Sequence, residues 1–190
     1  KEHWPEVRCV LRIKSDDPTA RCPLGTKYGA LPNEVEPLLR AAQRLGLHME
    51  GISFHVGSGA TDPKAFSRAI AAARSAFDMA ASLGLPPMKL LDIGGGFSGV
   101  AANGGVAIAC VAGAIADALE LHFPSKDVRV ISEPGRYFAE PMGTLCTSVM
   151  AKRVRKVATA PEAAAEEASE VMDYLKAPDS HEYWLMDGLY

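Results

Sequence analysis

The chain has 190 residues, 48% of them hydrophobic and 23% charged, with a formal net charge of −3. This composition suits one globular core and the start of a second, excludes wholesale disorder, and leaves no electrostatic footprint for nucleic acid. No apolar run approaches the ~18 residues of a membrane span and no signal-peptide pattern precedes the body of the chain, so a soluble cytoplasmic protein is expected.

The first apolar run, Val7 to Ile13 (VRCVLRI), predicts a strand. A helix follows, with Asn33 as its cap, Val35, Leu38, Leu39, Ala42 and Leu45 on one face, and Gly46 at its end. Met49 to Val56 (MEGISFHV) predicts the second strand. Thr61 or Asp62 then caps a longer helix, with Pro63 in its first turn, Phe66, Ile70, Ala73 and Phe77 on one stripe, and Gly84 just beyond. Met88 to Ile93 (MKLLDI) predicts the third strand, Val106 to about Leu121 a helix of small residues, and Val128 to Ser132 (VRVIS) the fourth strand. The alternation repeats every 40 residues or so, roughly, which argues for parallel strands joined by right-handed crossovers, in a doubly wound sheet or a barrel.

Beyond Gly135 the texture changes. Gly143 to Val157 is a β-prone run without a helix, and its basic cluster, Lys152 to Lys156 (KRVRK), is interleaved with valine as in a strand with one solvated face. From His181 the sequence HEYWLMDGLY is β-prone again. The expected division is therefore residues 1–141 and 142–190. The second part reads as the opening of a β domain with a low-complexity insertion near 158–180, whose apolar positions, Val171, Met172 and Leu175, come late. Cys9, Cys22, Cys110 and Cys146 are scattered and lack metal-ligand spacing; they read as reduced thiols, and no metal site is expected. The chain opens at Lys1 without an initiator Met and stops at Tyr190 inside a strand-like run, as an internal segment of a longer protein would.

Ligands of parallel α/β sheets bind at the carboxyl ends of the strands, and three of the four predicted strands end in glycine-bearing loops. The second ends in SFHVGSG, with His55, Gly57, Ser58 and Gly59; the third in DIGGGFSG, with Gly94, Gly95 and Gly96; the fourth in ISEPGRYF, with Glu133, Gly135 and Arg136. Each loop alone could be an ordinary turn. Together they offer backbone N–H groups, a fixed positive charge, a carboxylate and a flat ring, an inventory that suits a phosphorylated aromatic cofactor. Gly94, Gly96 and Gly99 also spell G-x-G-x-x-G, but Ala101 to Gly105 separate them from the next helix, and the acidic residue at suitable distance, Asp117, falls inside that helix. A dinucleotide loop needs the helix to open within the glycines and an acid at the next strand end, so that reading is disfavoured.

LRIKSDD, KYGA, GISFHVGSG, LLDIGGGFSG and SEPGRYF, in this order, resemble the eukaryotic ornithine decarboxylases, pyridoxal-phosphate enzymes with an alanine-racemase-like (β/α)8 barrel and a C-terminal β domain. The likeness runs from Val7 to about Val157 and resumes at YWLMDGLY. Ser98 departs from the family's Gly-Gly-Phe-Pro-Gly, and Met186 stands where many relatives have Asn. The resemblance implies a TIM-like barrel, decarboxylation of L-ornithine to putrescine in polyamine biosynthesis, a homodimer with shared sites, and antizyme as a partner. It implies further that His55 stacks on the pyridine ring, that Ser58, Gly96, Gly135 and Arg136 hold the phosphate, with Gly94 and Gly95 also among the cofactor-binding residues, and that Glu133 pairs with the ring nitrogen. His55 and Glu133 are thus the expected catalytic pair, and a side chain at Gly96 is expected to crowd the phosphate. Arg12 is expected near the active site and Lys27 near the dimer interface. The family's cofactor-bonding Lys would precede Lys1, its catalytic Cys and substrate-binding Asp would follow Tyr190, and Lys14 reads as a loop residue. The 190 residues alone are expected to be inactive. A non-enzymatic antizyme inhibitor, or a lysine, arginine or diaminopimelate decarboxylase, are the competing readings.

Overall fold

Four short runs of aliphatic residues pair side by side as strands: β1 (Arg8–Arg12), β2 (His48–Ser53), β3 (Leu90–Asp92) and β4 (Arg129–Ile131). The computed structural model describes residues 3–15, 17–25, 27–100, 106–143, 146–155 and 180–186. The strands lie in the order β1-β2-β3-β4 and every pair is parallel. Each connection carries a helix: α1 (Pro32–Arg44), α2 (Pro63–Ser82) and α3 (Ile108–His122). Sequential order with right-handed crossovers puts all three helices on one face of the sheet.

Register decides what each face carries. Leu11, Ile52, Leu91 and Val130 form one row, and Ile52 and Leu91 are fully buried under the helices. The adjacent row, Arg12, Ser53, Asp92 and Ile131, turns to the opposite face because strand side chains alternate. The core cluster joins Ile52, Phe54 and Leu91 to Leu39 of α1, to Phe66, Ile70, Ala73 and Phe77 of α2, and to Val111 and Ala118 of α3. Phe66 and Ile70 are both fully buried, and each contributes about 1.5–3 kcal/mol relative to exposure. Val10, Val130 and Ile131, toward the two edges of the sheet, remain exposed.

The helix ends differ in part from expectation. Asp62, not Thr61, caps α2 by accepting from the Lys64 N–H, and Pro63 fills its first position. The cap of α1 is Leu31 rather than Asn33: Pro32 begins the helix, and the Glu34 carboxylate reaches back to accept from the Leu31 N–H at 2.7 Å. On α1, Val35, Leu39 and Ala42 are buried, but Leu38 and Leu45 are exposed, because the face in contact with the sheet is narrower than the apolar stripe. The second strand ends at Ser53 instead of Val56, since the backbone from Phe54 onward enters the loop that builds the site. Residues 135–142, for which the sequence pattern predicts no element, form a short helix α4 (Gly135–Ala139) and a 3-10 turn (Glu140–Met142).

The first compact unit is Lys1–Gly143 and the second Thr144–Tyr190. In the second, β5 (Val149–Arg155) and β6 (Ser180–Leu185) pair antiparallel. Ala151 to Val154 are all exposed, so the expected single solvated face is not seen, a consequence of a two-stranded ribbon covering neither side. Arg153 donates to Glu182 and lies over the Trp184 ring. The low-complexity stretch, with Val171, Met172 and Leu175, lies outside the described residues. All four cysteines are free, with Cys9 half-buried and Cys22, Cys110 and Cys146 exposed. Among the described residues no helix is long and apolar enough to cross a membrane.

One buried carboxylate ties the loop after β1 to the loop after β2. Asp17, 1% exposed, accepts from the Thr19 N–H and hydroxyl through Oδ1 and from the Thr61 and Asp62 N–H groups through Oδ2. Its own N–H donates to the Val56 carbonyl at 2.7 Å, so Asp17 grips the loop of His55 and Ser58 at both ends. Burial alone would raise its pKa, but the hydrogen bonds from Thr19, Asp62 and Thr61 together outweigh burial and hold it below 3.8. A depressed carboxylate pKa stabilises the fold above the unfolded value and loses that contribution as pH falls through the folded value. Asp17→Ala, which removes the buried acceptor of the Thr19, Thr61 and Asp62 N–H groups at once, is expected to cost about 3 kcal/mol. In the full-length protein the stability gap between parent and Asp17→Asn should be widest near neutrality and narrow below pH 3.8; a pH-independent gap would show that the charge of Asp17 is not what holds the loop.

Candidate functional site

The site lies at the carboxyl edge of the four-stranded sheet, where the loops after β1, β2, β3 and β4 meet. Two of these loops run backbone against backbone. Gly94 has φ +60°, and a Cβ there would fall 2.0 Å from the Phe54 carbonyl oxygen, so only glycine allows β3 to pass β2 this closely. The Gly94 N–H donates to Asp92 Oδ1 at 2.9 Å, and its carbonyl accepts from the Glu133 N–H at 2.8 Å. Glu133 is thereby carried to the glycine loop.

Gly95 is held between two predicted site residues: a Cβ there would lie 2.8 Å from both His55 Nε2 and the Glu133 carbonyl oxygen. Gly96, at φ +112°, packs on the Gly57 carbonyl, which a Cβ would approach to 2.6 Å, and on Val56 Cγ2 at 2.8 Å. The protein's own backbone thus requires glycine at 96, a reason independent of any phosphate. The carbonyl of Gly96 accepts from Ala60, while the N–H groups of Gly95 and Gly96 reach no acceptor among the described residues.

His55 is half-buried. Its Nδ1 accepts from the Gly57 N–H at 3.0 Å, which makes Nδ1 the unprotonated nitrogen of the neutral ring. Burial first, and the Arg12 charge second, lower its pKa below 6.5, with Asp92 opposing them. Arg12 also lies over the Tyr28 ring, and the Lys14 ammonium donates to the Gly25 carbonyl. Lys27 lies over Tyr28 as well.

Arg136 extends from α4 to the loop after β2, where Nη1 donates to Ser58 Oγ at 3.0 Å. Its Nε is buried without a hydrogen-bond partner. The Ser58 main chain is engaged on both sides by Cys22, and Arg21 N–H donates to the Gly59 carbonyl, so the loop after β1 braces this turn. The Gly135 N–H donates to the Glu133 carbonyl, and a Cβ on Gly135 would meet nothing within 4 Å, so Gly135 offers space rather than a donor. Glu133 is exposed, and its carboxylate contacts no partner among the described residues. The loops thus bring His55, Ser58, Gly94, Gly95, Gly96, Glu133, Gly135 and Arg136 to one edge.

Sequence reasoning missed Asp17, Arg21, Asp92 and Glu140. Glu140 Oε2 accepts from Ser98 Oγ at 3.0 Å and from the Gly99 N–H at 2.9 Å, and lies 3.6 Å from Arg136 Nε; Oε1 accepts from Arg21 Nη1 at 3.1 Å. The Gly99 hydrogen bond most, then those from Ser98 and the Arg136 charge, keep its pKa below 4.5 against the effect of burial. The spacing Arg136 to Glu140, one helical turn, was the available signal, and it is visible only once α4 is known. Among the described residues no cluster of His, Cys, Asp and Glu could hold a metal ion.

Residues 1–140 match the family described as pyridoxal-dependent decarboxylase, pyridoxal binding domain. The chain is 44% identical over 192 residues to the chloroplastic ornithine decarboxylase of Nicotiana glutinosa, covering all of this chain and 38% of that protein. It is 38% identical over 187 residues to antizyme inhibitor 2 of Xenopus laevis, covering 98% of this chain and 38% of the relative. Among solved structures, the Paramecium bursaria Chlorella virus arginine decarboxylase bound to agmatine superposes with a TM-score of 0.69 at 42% identity, over 81% of this chain and 41% of that one. The chain thus spans about two fifths of the length of these relatives.

His55 supplies a direct check of the electrostatics. In the cofactor-free full-length protein its NMR titration midpoint should fall below 6.5. Arg12→Ala should raise that midpoint and Asp92→Asn should lower it further; shifts of the opposite sign would mean that the two groups do not face the imidazole as described.

Proposed function

The chain belongs to the pyridoxal-dependent decarboxylases, and from that membership we propose that its parent protein converts L-ornithine to putrescine and carbon dioxide with pyridoxal phosphate. The observation that carries the reading is the placement of Gly95 within 2.8 Å, by its missing Cβ, of both His55 and the Glu133 main chain, beside Arg136 bonded to Ser58. A flat ring and the main chain of a carboxylate-bearing residue flank Gly95, and an arginine suited to an anion is held on the neighbouring β2 loop.

The residues fit the cofactor in three respects. Arg136 keeps its Nη2 without a partner among the described residues, the Gly95 and Gly96 N–H groups have no acceptor among them, and Gly135 leaves open a space that a Cβ would occupy. Ser58, Gly95, Gly96 and Arg136 would hold the phosphate, with Gly94 and Gly135 keeping the backbone close and the space clear. His55, neutral at pH 7, would lay an uncharged face on the ring without competing for a proton. Glu133 would hold a proton on the ring nitrogen. The cofactor, when bound, supplies an electron sink for the pair left behind as carbon dioxide departs.

A barrel closed by further strands, a homodimer with shared sites, an antizyme-type partner and a cytoplasmic location belong to the same proposal. The exposed apolar Val130 and Ile131 on β4 support closure by a further strand. A second reading, a regulatory homologue without catalysis, is favoured by the likeness to antizyme inhibitor 2, which covers 98% of the chain. The Arg136–Ser58 bond weighs against it, since a protein that binds no phosphate has no use for that geometry.

The full-length protein should show visible absorbance from bound cofactor and release carbon dioxide faster from L-ornithine than from lysine or arginine. Glu133→Ala should keep the phosphate-held cofactor but lose about 100-fold or more in turnover, the scale of a misplaced catalytic proton. Absent cofactor absorbance together with absent carbon dioxide release would favour the regulatory reading, and unchanged turnover in Glu133→Ala would remove Glu133 from the chemistry.

A further inference from the structure

Arg136 can serve a phosphate only if its guanidinium is held, and Ser58 holds one corner of it. The remaining constraint comes from Glu140, whose side chain is only 10% exposed. Its Oε2 faces Arg136 Nε while accepting from Ser98 and Gly99, and its Oε1 accepts from Arg21. Those partners come from the loops after β1 and β3 and from α4. The loop after β2 joins through Arg136 Nη1 on Ser58 and through the Arg21 N–H on Gly59. All four strand-end loops are therefore linked to one carboxylate, directly or by a single residue.

A carboxylate this close to a phosphate-binding arginine could act as a rival anion. The charge count argues otherwise: Arg21 and Arg136 give two positive charges against the one of Glu140, so an incoming phosphate meets a net cation. Geometry argues the same way. Glu140 takes the Nε side and Ser58 takes Nη1, which leaves Nη2 without a partner among the described residues. That is the edge a phosphate oxygen would use. Ser98 adds a hydroxyl hydrogen bond of 3.0 Å to Glu140, so the carboxylate holds the glycine loop by a side chain as well as by the Gly99 N–H.

The geometry points to Glu140 as a positioning residue that locks the Arg136 guanidinium, and the glycine loop through Ser98 and Gly99, into a phosphate-receiving arrangement. The inference rests on the reading of Arg136 as a phosphate ligand. Glu140 touches no cofactor itself; it acts through Arg136 and the loop.

The test is equilibrium binding of pyridoxal phosphate and of pyridoxal, which lacks the phosphate, to the full-length protein freed of cofactor, followed by absorbance. Glu140→Ala should raise the Kd for pyridoxal phosphate by about 10-fold to 100-fold, the usual cost of removing an outer-shell partner. Pyridoxal affinity should change by no more than about 3-fold, the ordinary scatter of such effects. Glu140→Gln, which keeps an acceptor for Ser98 and Gly99, should recover part of the affinity and serves in place of Glu140→Ala should that variant not fold. Equal losses for both ligands, no loss for either, or tighter binding of pyridoxal phosphate would overturn the inference. Arg136→Ala separates it from the reading beneath: if that variant keeps the parental preference for the phosphorylated ligand, the phosphate assignment fails. If Arg136→Ala abolishes the preference and Glu140→Ala leaves it intact, only the role of Glu140 fails.

Discussion

The close passage of the β3 loop over the β2 loop is the constraint on which the rest of the site depends. With 2.0 Å between a Cβ on Gly94 and the Phe54 carbonyl, the two backbones leave no room for any side chain. That approach lets the ladder continue past the formal end of β4, from the Glu133 N–H to the Gly94 carbonyl, and so sets Glu133 opposite His55 across Gly95. Were the loops separated by even a methyl group, the ring of His55 and the Glu133 main chain could not border the same small space. The glycines serve backbone proximity first, and the N–H groups of Gly95 and Gly96, which reach no acceptor among the described residues, are a consequence of it.

Charge is distributed around this frame with little excess. Arg12 and Asp92 sit in the same register row of the sheet and act on His55 in opposite directions, with burial deciding that the imidazole is neutral. Arg21, Arg136 and Glu140 form a second group at the far side of the loops. Asp17 forms a third, with its charge met by N–H groups and a hydroxyl rather than by a cation. In all three groups the carboxylate fixes a loop: Asp92 holds the Gly94 N–H, Glu140 the Gly99 N–H, and Asp17 the Thr61 and Asp62 N–H groups. An edge so arranged would receive an anion, on the proposed reading, without carrying a strongly basic surface, which accords with a chain whose overall net charge is −3.

Much of the architecture was legible because it depends on local periodicity. The stripe of Phe66, Ile70, Ala73 and Phe77 identifies α2 and its buried face, and Asp62 with Pro63 marks its start. Periodicity says less about how wide a buried face is, which is why Leu38 and Leu45 were expected inside and lie outside. The helix α4 escaped notice because Pro134 and Gly135 read as punctuation, although proline is compatible with a helix start and glycine is only a weak barrier there. The strand-end residues were legible by chemical type. Asp17 and Glu140 were not, because their roles come from contacts such as Asp17 with Thr61 and Glu140 with Ser98, which lie far apart in the chain and leave no local pattern.

The spacing Gly94, Gly96, Gly99 shows how one pattern can arise from a different cause. In a dinucleotide loop the third glycine brings helix and strand together and the helix N-terminus faces the pyrophosphate. Here α3 begins only at Ile108, and Asp117 lies within it, so neither the helix end nor an acidic strand terminus is available. Gly99 is required for another reason: a Cβ would lie 2.4 Å from the Tyr137 carbonyl, where the loop meets α4. Its N–H then reaches Glu140, and Glu140 reaches Arg136. The first two glycines bring β3 against β2, and the third brings the same loop against α4. The motif is thus a record of close backbone contacts, and the chemistry proposed for the edge rests on what those contacts assemble.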